Sequence, residues 1–128
     1  MIKIIYTPPN ELDISGSVSE MTNIKNNLLS FSEESSTEYT IKADKDIDPS
    51  PYEKALKSLK VHVTSGPTKI SVANEQVIVE GSRSSFEVFA SYFNFSEGDL
   101  PGSHNHHEYF KGDDYIHPDS VPAVIGIK

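Results

Sequence analysis

Apolar and polar positions change period several times along the chain, and each change marks an element. Ile2-Lys3-Ile4-Ile5-Tyr6 is short and β-rich, stopped by Pro8-Pro9, and reads as a strand followed by a loop to Ser17. Ser17 precedes Glu20 at capping-box spacing, and Val18, Met21, Ile24, Leu28 and Phe31 recur at helical spacing, which predicts an amphipathic helix over 17–31. The polar run from Ser32 to Thr37 ends it, with Glu33-Glu34 as a solvated helix end. Residues 38–43 alternate as a strand, 44–51 form an acidic proline-bounded loop, and Tyr52, Ala55, Leu56 and Leu59 suit a short helical turn. Leu59, Val61 and Val63 alternate with Lys60, His62 and Thr64, and strands at 70–72 and 76–80 follow, joined by a tight turn at Asn74-Glu75. The connections are short, so the spacing predicts an antiparallel meander. Ser84 and Glu87 repeat the capping-box spacing, and Phe86, Phe89, Ala90 and Phe93 share one face of a helix over 84–95. Residues 104–110 read as a strand, 112–114 as a turn and 121–127 as the last strand.

The predicted order is β-α-β-β-β-β-α-β-β, an α+β class in which two amphipathic helices cover a mostly antiparallel sheet. Residues 1–128 suit one domain, with no repeat or linker.

Composition narrows the function. The chain has no cysteine, which excludes disulfides, thiolate metal sites and cysteine nucleophiles. The opening segment has no signal-peptide h-region and no stretch is long and apolar enough to span a bilayer, so the expected location is the cytoplasm. The net charge is −8, from 19 acidic against 11 basic residues, which disfavours nucleic-acid binding. After Arg83 the basic residues are Lys111 and Lys128, against Glu87, Glu97, Asp99, Glu108, Asp113, Asp114 and Asp119. That acidic C-terminal third would attract a cationic partner.

The densest group of reactive side chains is His104-Asn105-His106-His107-Glu108-Tyr109. On a strand, His104, His106, Glu108 and Phe110 face one way, and Asn105, His107 and Tyr109 the other. His104 and Glu108 are about 13 Å apart along a strand, too far for one ion. His104 with His106, aided by His117 or Asp113, could hold zinc or a similar ion. The bland reading is a polar strand using histidine and tyrosine as pairing or contact residues. Asp44, Asp46 and Asp48 open like a calcium loop, but Pro49 stands where glycine is needed and Ala55 where the closing glutamate belongs. No phosphate-binding glycine loop and no G-x-S-x-G elbow occurs. His62 reads as a sheet-face histidine.

His104-x-His106-x-Glu108-Tyr109, Gly112-Asp113-Asp114-Tyr115-Ile116, Pro118-x-Ser120-x-Pro122 and the ending Val124-Ile125-Gly126-Ile127 resemble the tail of the immunity protein 32 family, α+β immunity proteins of bacterial polymorphic toxin systems. The resemblance covers the last quarter to third of the chain. It implies a non-enzymatic protein, without cofactor, that binds and inhibits a cognate toxin, with His104, His106, Glu108, Tyr109 and Ser120 as the matching positions. His107 is extra to the pattern. A basic toxin such as a nuclease fits the acidity, and the expected contact set is His104, His106, Glu108, Tyr109, Asp113, Asp114 and Tyr115, with Asp99 and Asp119 behind it. The alternatives are a metal-binding protein or metal-dependent enzyme built on His104, His106 and His117, and a non-catalytic interaction or accessory domain.

Overall fold

The computed structural model describes residues 1–33 and 36–128, the side chains of residues 32 and 33 excepted. The first helix reaches Glu33, while the expected solvation of Glu33-Glu34 falls on the Glu33 side chain and on Glu34, which lie outside what is described.

Strands β1 (Lys3–Thr7) and β2 (Glu11–Gly16) form an antiparallel hairpin. Ile4, Tyr6, Leu12 and Ile14 point into the core, while Glu11 and Asp13 point outward. Helix α1 (Val18–Glu33) starts at the expected capping box. The Ser17 N–H donates to Glu20 Oε1 at 2.9 Å, and the Glu20 N–H donates to Ser17 Oγ at 3.1 Å. β3 (Glu38–Lys42), β4 (Lys54–Ala55), β5 (Ser58–Val63), β6 (Lys69–Ala73) and β7 (Gln76–Gly81) follow. Then come α2 (Arg83–Ser91), β8 (His104–His107) and β9 (Ala123–Ile127).

The strands form two sheets, ordered β4-β1-β2-β9-β8 and β3-β5-β7-β6. The chain passes between the sheets several times, and two of its segments bind them together. β4 pairs with β1, and two residues later the same segment enters the second sheet as β5. On the other side, residues 115–121 run beside β6 before the chain joins the first sheet as β9: Thr68 donates to the Tyr115 carbonyl, His117 to the Thr68 carbonyl and Val121 to the Ile70 carbonyl, each at 2.8 Å. This run covers an edge strand whose backbone groups would otherwise stand open.

One apolar cluster takes side chains from both sheets and both helices. Phe86, Phe89 and Phe93 are its largest fully buried members, as the helical spacing predicts. Arg83 ties the helices together, donating to the Phe31 carbonyl at 3.1 Å and the Ser36 carbonyl at 2.8 Å. The first of these bonds satisfies a carbonyl in the last turn of α1.

The α+β class, the two helices and the mainly antiparallel pairing stand as expected, with five of the seven strand pairs among the described residues antiparallel. Several local expectations change. The loop before Ser17 contains β2, because Leu12 and Ile14 alternate with Glu11 and Asp13. The helical turn at 52–59 is instead β4 and the start of β5, held extended by bonds such as Leu56 N–H to the Ile4 carbonyl at 2.8 Å. The middle is not a meander. β5 and β7 are parallel neighbours, and β6 lies outside β7. The five residues between β5 and β6 easily span one skipped strand position, about 10 Å. The Asn74-Glu75 turn holds, with positive φ at both residues. Helix α2 is capped by Ser82 rather than Ser84, the Ser82 side chain accepting from the Ser85 N–H, and it is shorter than the spacing suggests.

Candidate functional site

β8 is one edge strand of the five-stranded sheet, and β9 separates it from β2. The register places residues side by side across the outer face. Ile5 pairs with Asp13, Asp13 with Val124, and Val124 with His106. In the next row Ser15 pairs with Gly126, which pairs with His104. The expected alternation therefore holds within the strand. His104 and His106 are exposed on one face with their rings edge-to-face at 4.9 Å, and His107 is buried on the other.

The strand ends at His107, three residues earlier than expected, and residues 108–122 cross toward β6 before returning as β9. This crossing carries the remaining expected contact residues. Glu108 and Asp114 are exposed and Tyr109 is half-buried. Phe110 is 67% exposed and Tyr115 50%, the most exposed aromatic side chains among the described residues. Asp113 serves the backbone, its Oδ1 accepting from the Tyr115 N–H at 2.8 Å and the Ile116 N–H at 3.1 Å to close the turn. Ser120 is also structural, buried, with its Oγ accepting from the Ile70 N–H at 2.8 Å.

Two adjoining clefts form a trough on this side. The narrower, ≈ 130 Å³, is lined by Asn10, Glu11, Tyr52, His106, Glu108 and the Pro122–Val124 run with Leu12. The wider, ≈ 320 Å³, shares Asn10, Glu108 and Pro122 and adds Tyr109, Pro118, Asp119 and Ser120. Among the described residues, three carboxylates and no lysine or arginine line the trough. Asp13 stands beside it on the sheet face, half-buried, and burial raises its pKa against the opposing pull of Lys128 and His104. Tyr52 is shifted upward by burial first, then by the charges of Asp13 and Glu11.

The structure thus brings His106, Glu108 and Tyr109 together, sets His104 beside them, and adds Asp119 from the second rank. Asp99 lies elsewhere: its Oδ2 caps the Ser96 N–H at 2.8 Å, and it lines a cleft with Ser17, Glu97 and Lys128. Asp114 and Tyr115 belong to the crossing and do not line the trough. Glu11, Asp13, Tyr52 and Phe110 complete the surface and were missed as contact residues. The signal for the first two was the Glu11-Leu12-Asp13-Ile14 alternation; Tyr52 gives no local sign, because strand pairing alone brings it here.

Among the described residues, no three His, Asp or Glu side chains are arranged to hold one metal ion. His117, expected to join His104 and His106, instead accepts the Asp119 N–H on its Nδ1 at 3.0 Å. A further cleft, ≈ 470 Å³, lies away from this surface and mixes Lys42, Lys45 and Lys57 with Asp44 and Asp46.

The class the coordinates define is α+β with two mixed sheets. No family model matches the chain, and no curated protein or solved structure matches it. Among the described residues, no helix is long and apolar enough to cross a membrane.

Proposed function

We propose that this chain is a toxin-neutralising immunity protein that binds a cognate cationic toxin domain, of the kind a nuclease presents, in the cytoplasm. It acts by occupying the toxin's surface, with no reaction or cofactor of its own. The observation that carries this reading is the placing of Phe110 and Tyr115, both largely in solvent, on the same crossing as Glu108 and Asp114. Aromatic side chains are among the residue types that most often anchor an interface. The surrounding carboxylates would speed encounter with a basic partner. The carboxylate-lined trough beside the crossing supplies the same sign of charge.

The experiment is capture from the native cells with the tagged chain as bait, followed by expression of the captured domain alone. The expected result is a basic domain that arrests growth by itself and is harmless when this chain is co-expressed. Retention of partners that are neither basic nor toxic would overturn the proposal.

A further inference from the structure

We infer that the narrow cleft on the outer face of the five-stranded sheet receives one arginine side chain of the partner, its guanidinium between Glu11 and Glu108. The inference rests on the partner being a cationic protein, as proposed above, and adds which group it offers and where. Size comes first. At ≈ 130 Å³ the cleft is well below the roughly 300–1,000 Å³ typical of small-molecule sites, and it suits the end of a single side chain.

Sheet geometry supplies the second argument. Leu12 and His107 both pair with Ala123, so Glu11 on β2 and Glu108 just beyond β8 flank Pro122 on opposite sides. Two strand spacings separate their backbones by about 10 Å. That gap leaves room for a planar cation with a carboxylate at each edge. Neither carboxylate has a lysine or arginine within ion-pair distance among the described residues, whereas Glu38 and Asp13 do.

The walls favour arginine over lysine. Tyr52 lines the cleft with a ring of the kind on which a guanidinium stacks, and Pro122, Ala123 and Val124 give apolar surface for its stem. A rigid fork of donors meets two carboxylates better than a compact ammonium does. The negative field is felt locally, since Asp13 and Glu11 add to the upward shift of Tyr52 that burial begins.

The test needs no toxin. The ¹⁵N-labelled full chain is titrated with Nα-acetyl-arginine methylamide and, separately, with its lysine counterpart. Saturable shifts at the Tyr52, His106 and Glu108 amides are expected with the arginine compound, at least several-fold weaker with lysine, and lost in Glu11→Gln/Glu108→Gln. Both carboxylates are exposed, so the double variant should keep the fold, which its remaining resonances report. No saturable shift, an equal response to lysine, or an undiminished response in the double variant would overturn the assignment. Because the probe is a small molecule, failure here is separate from failure of the toxin reading, which the capture experiment decides.

Discussion

His107 shows how much one position's facing matters. It sits one residue from the exposed pair yet is 1% exposed, its ring edge-to-face with Phe89 at 5.2 Å and Tyr92 at 4.8 Å. Its Nδ1 is buried without a hydrogen-bond partner. Burial lowers its pKa from 6.5 to about 4, the nearby Asp113 charge and a weak interaction of the ring with its own backbone, too poorly aligned to count as a hydrogen bond, recovering only part of the cost of protonation. The unfolded chain therefore binds the proton more readily, and stability is lost as pH falls from about 6.5 to about 4, by about 3 kcal/mol. Below that range the contribution is constant. His107→Phe should keep the packing, remove the orphaned nitrogen and flatten this acid limb. Urea unfolding at pH 7 and pH 4.5 checks it: the variant should equal or exceed the wild type at pH 7 and fall less on acidification. The same drop in both proteins would contradict the account. At this scale the sequence was informative, since a period of two separated His104 and His106 from His107 correctly. Which of the two faces is buried depended on where Phe89 and Tyr92 come to lie, and that is a tertiary fact.

The element that presents the histidines is the β8–β9 pair, and its close approach depends on Gly126. A Cβ there would meet the His104 Cβ and the Ser103 carbonyl oxygen, both at 2.8 Å. Gly126→Ala should push β8 away from β9 at a cost of about 1–3 kcal/mol. The His104 and His106 amide resonances should move with it. Unchanged stability, with shifts confined to residue 126 and its chain neighbours, would sink this reading. The element level also shows where local patterns run out. The capping box at Ser17, the phenylalanine stripe of α2 and the Asn74-Glu75 turn are decided within a few residues, and each stood as read. β4 is two residues long and exists because β1 accepts it, so Tyr52 to Leu59 showed helical spacing without helix. The parallel pairs β2–β9 and β5–β7 join strands that no tight turn connects, and short loops alone suggested a meander.

At the scale of the molecule, charge and apolar exposure coincide. The chain carries −8 overall; Glu11, Glu108 and Asp119 line the trough, and the 108–122 crossing carries Asp114 and Lys111 with the exposed Phe110 and Tyr115 rings. The acidic C-terminal third was visible in composition, but its N-terminal share, Glu11 and Asp13, joins only through the pairing of β2 with β9. Under the proposed function, binding should be steered by the carboxylates and held by the rings. Among the described residues, Phe110 and Tyr115 have no ring partner, and both are exposed, so replacing both should leave the fold intact. The most direct measurement is therefore growth of cells expressing the captured toxin domain together with either the wild-type chain or Phe110→Ala/Tyr115→Ala, with thermal unfolding as a control on folding. The account predicts that the wild type protects, and that the double variant, equally stable, loses protection by about 100-fold or more in surviving colonies, as anchor removal at two sites implies. Protection by the double variant equal to that of the wild type would contradict it.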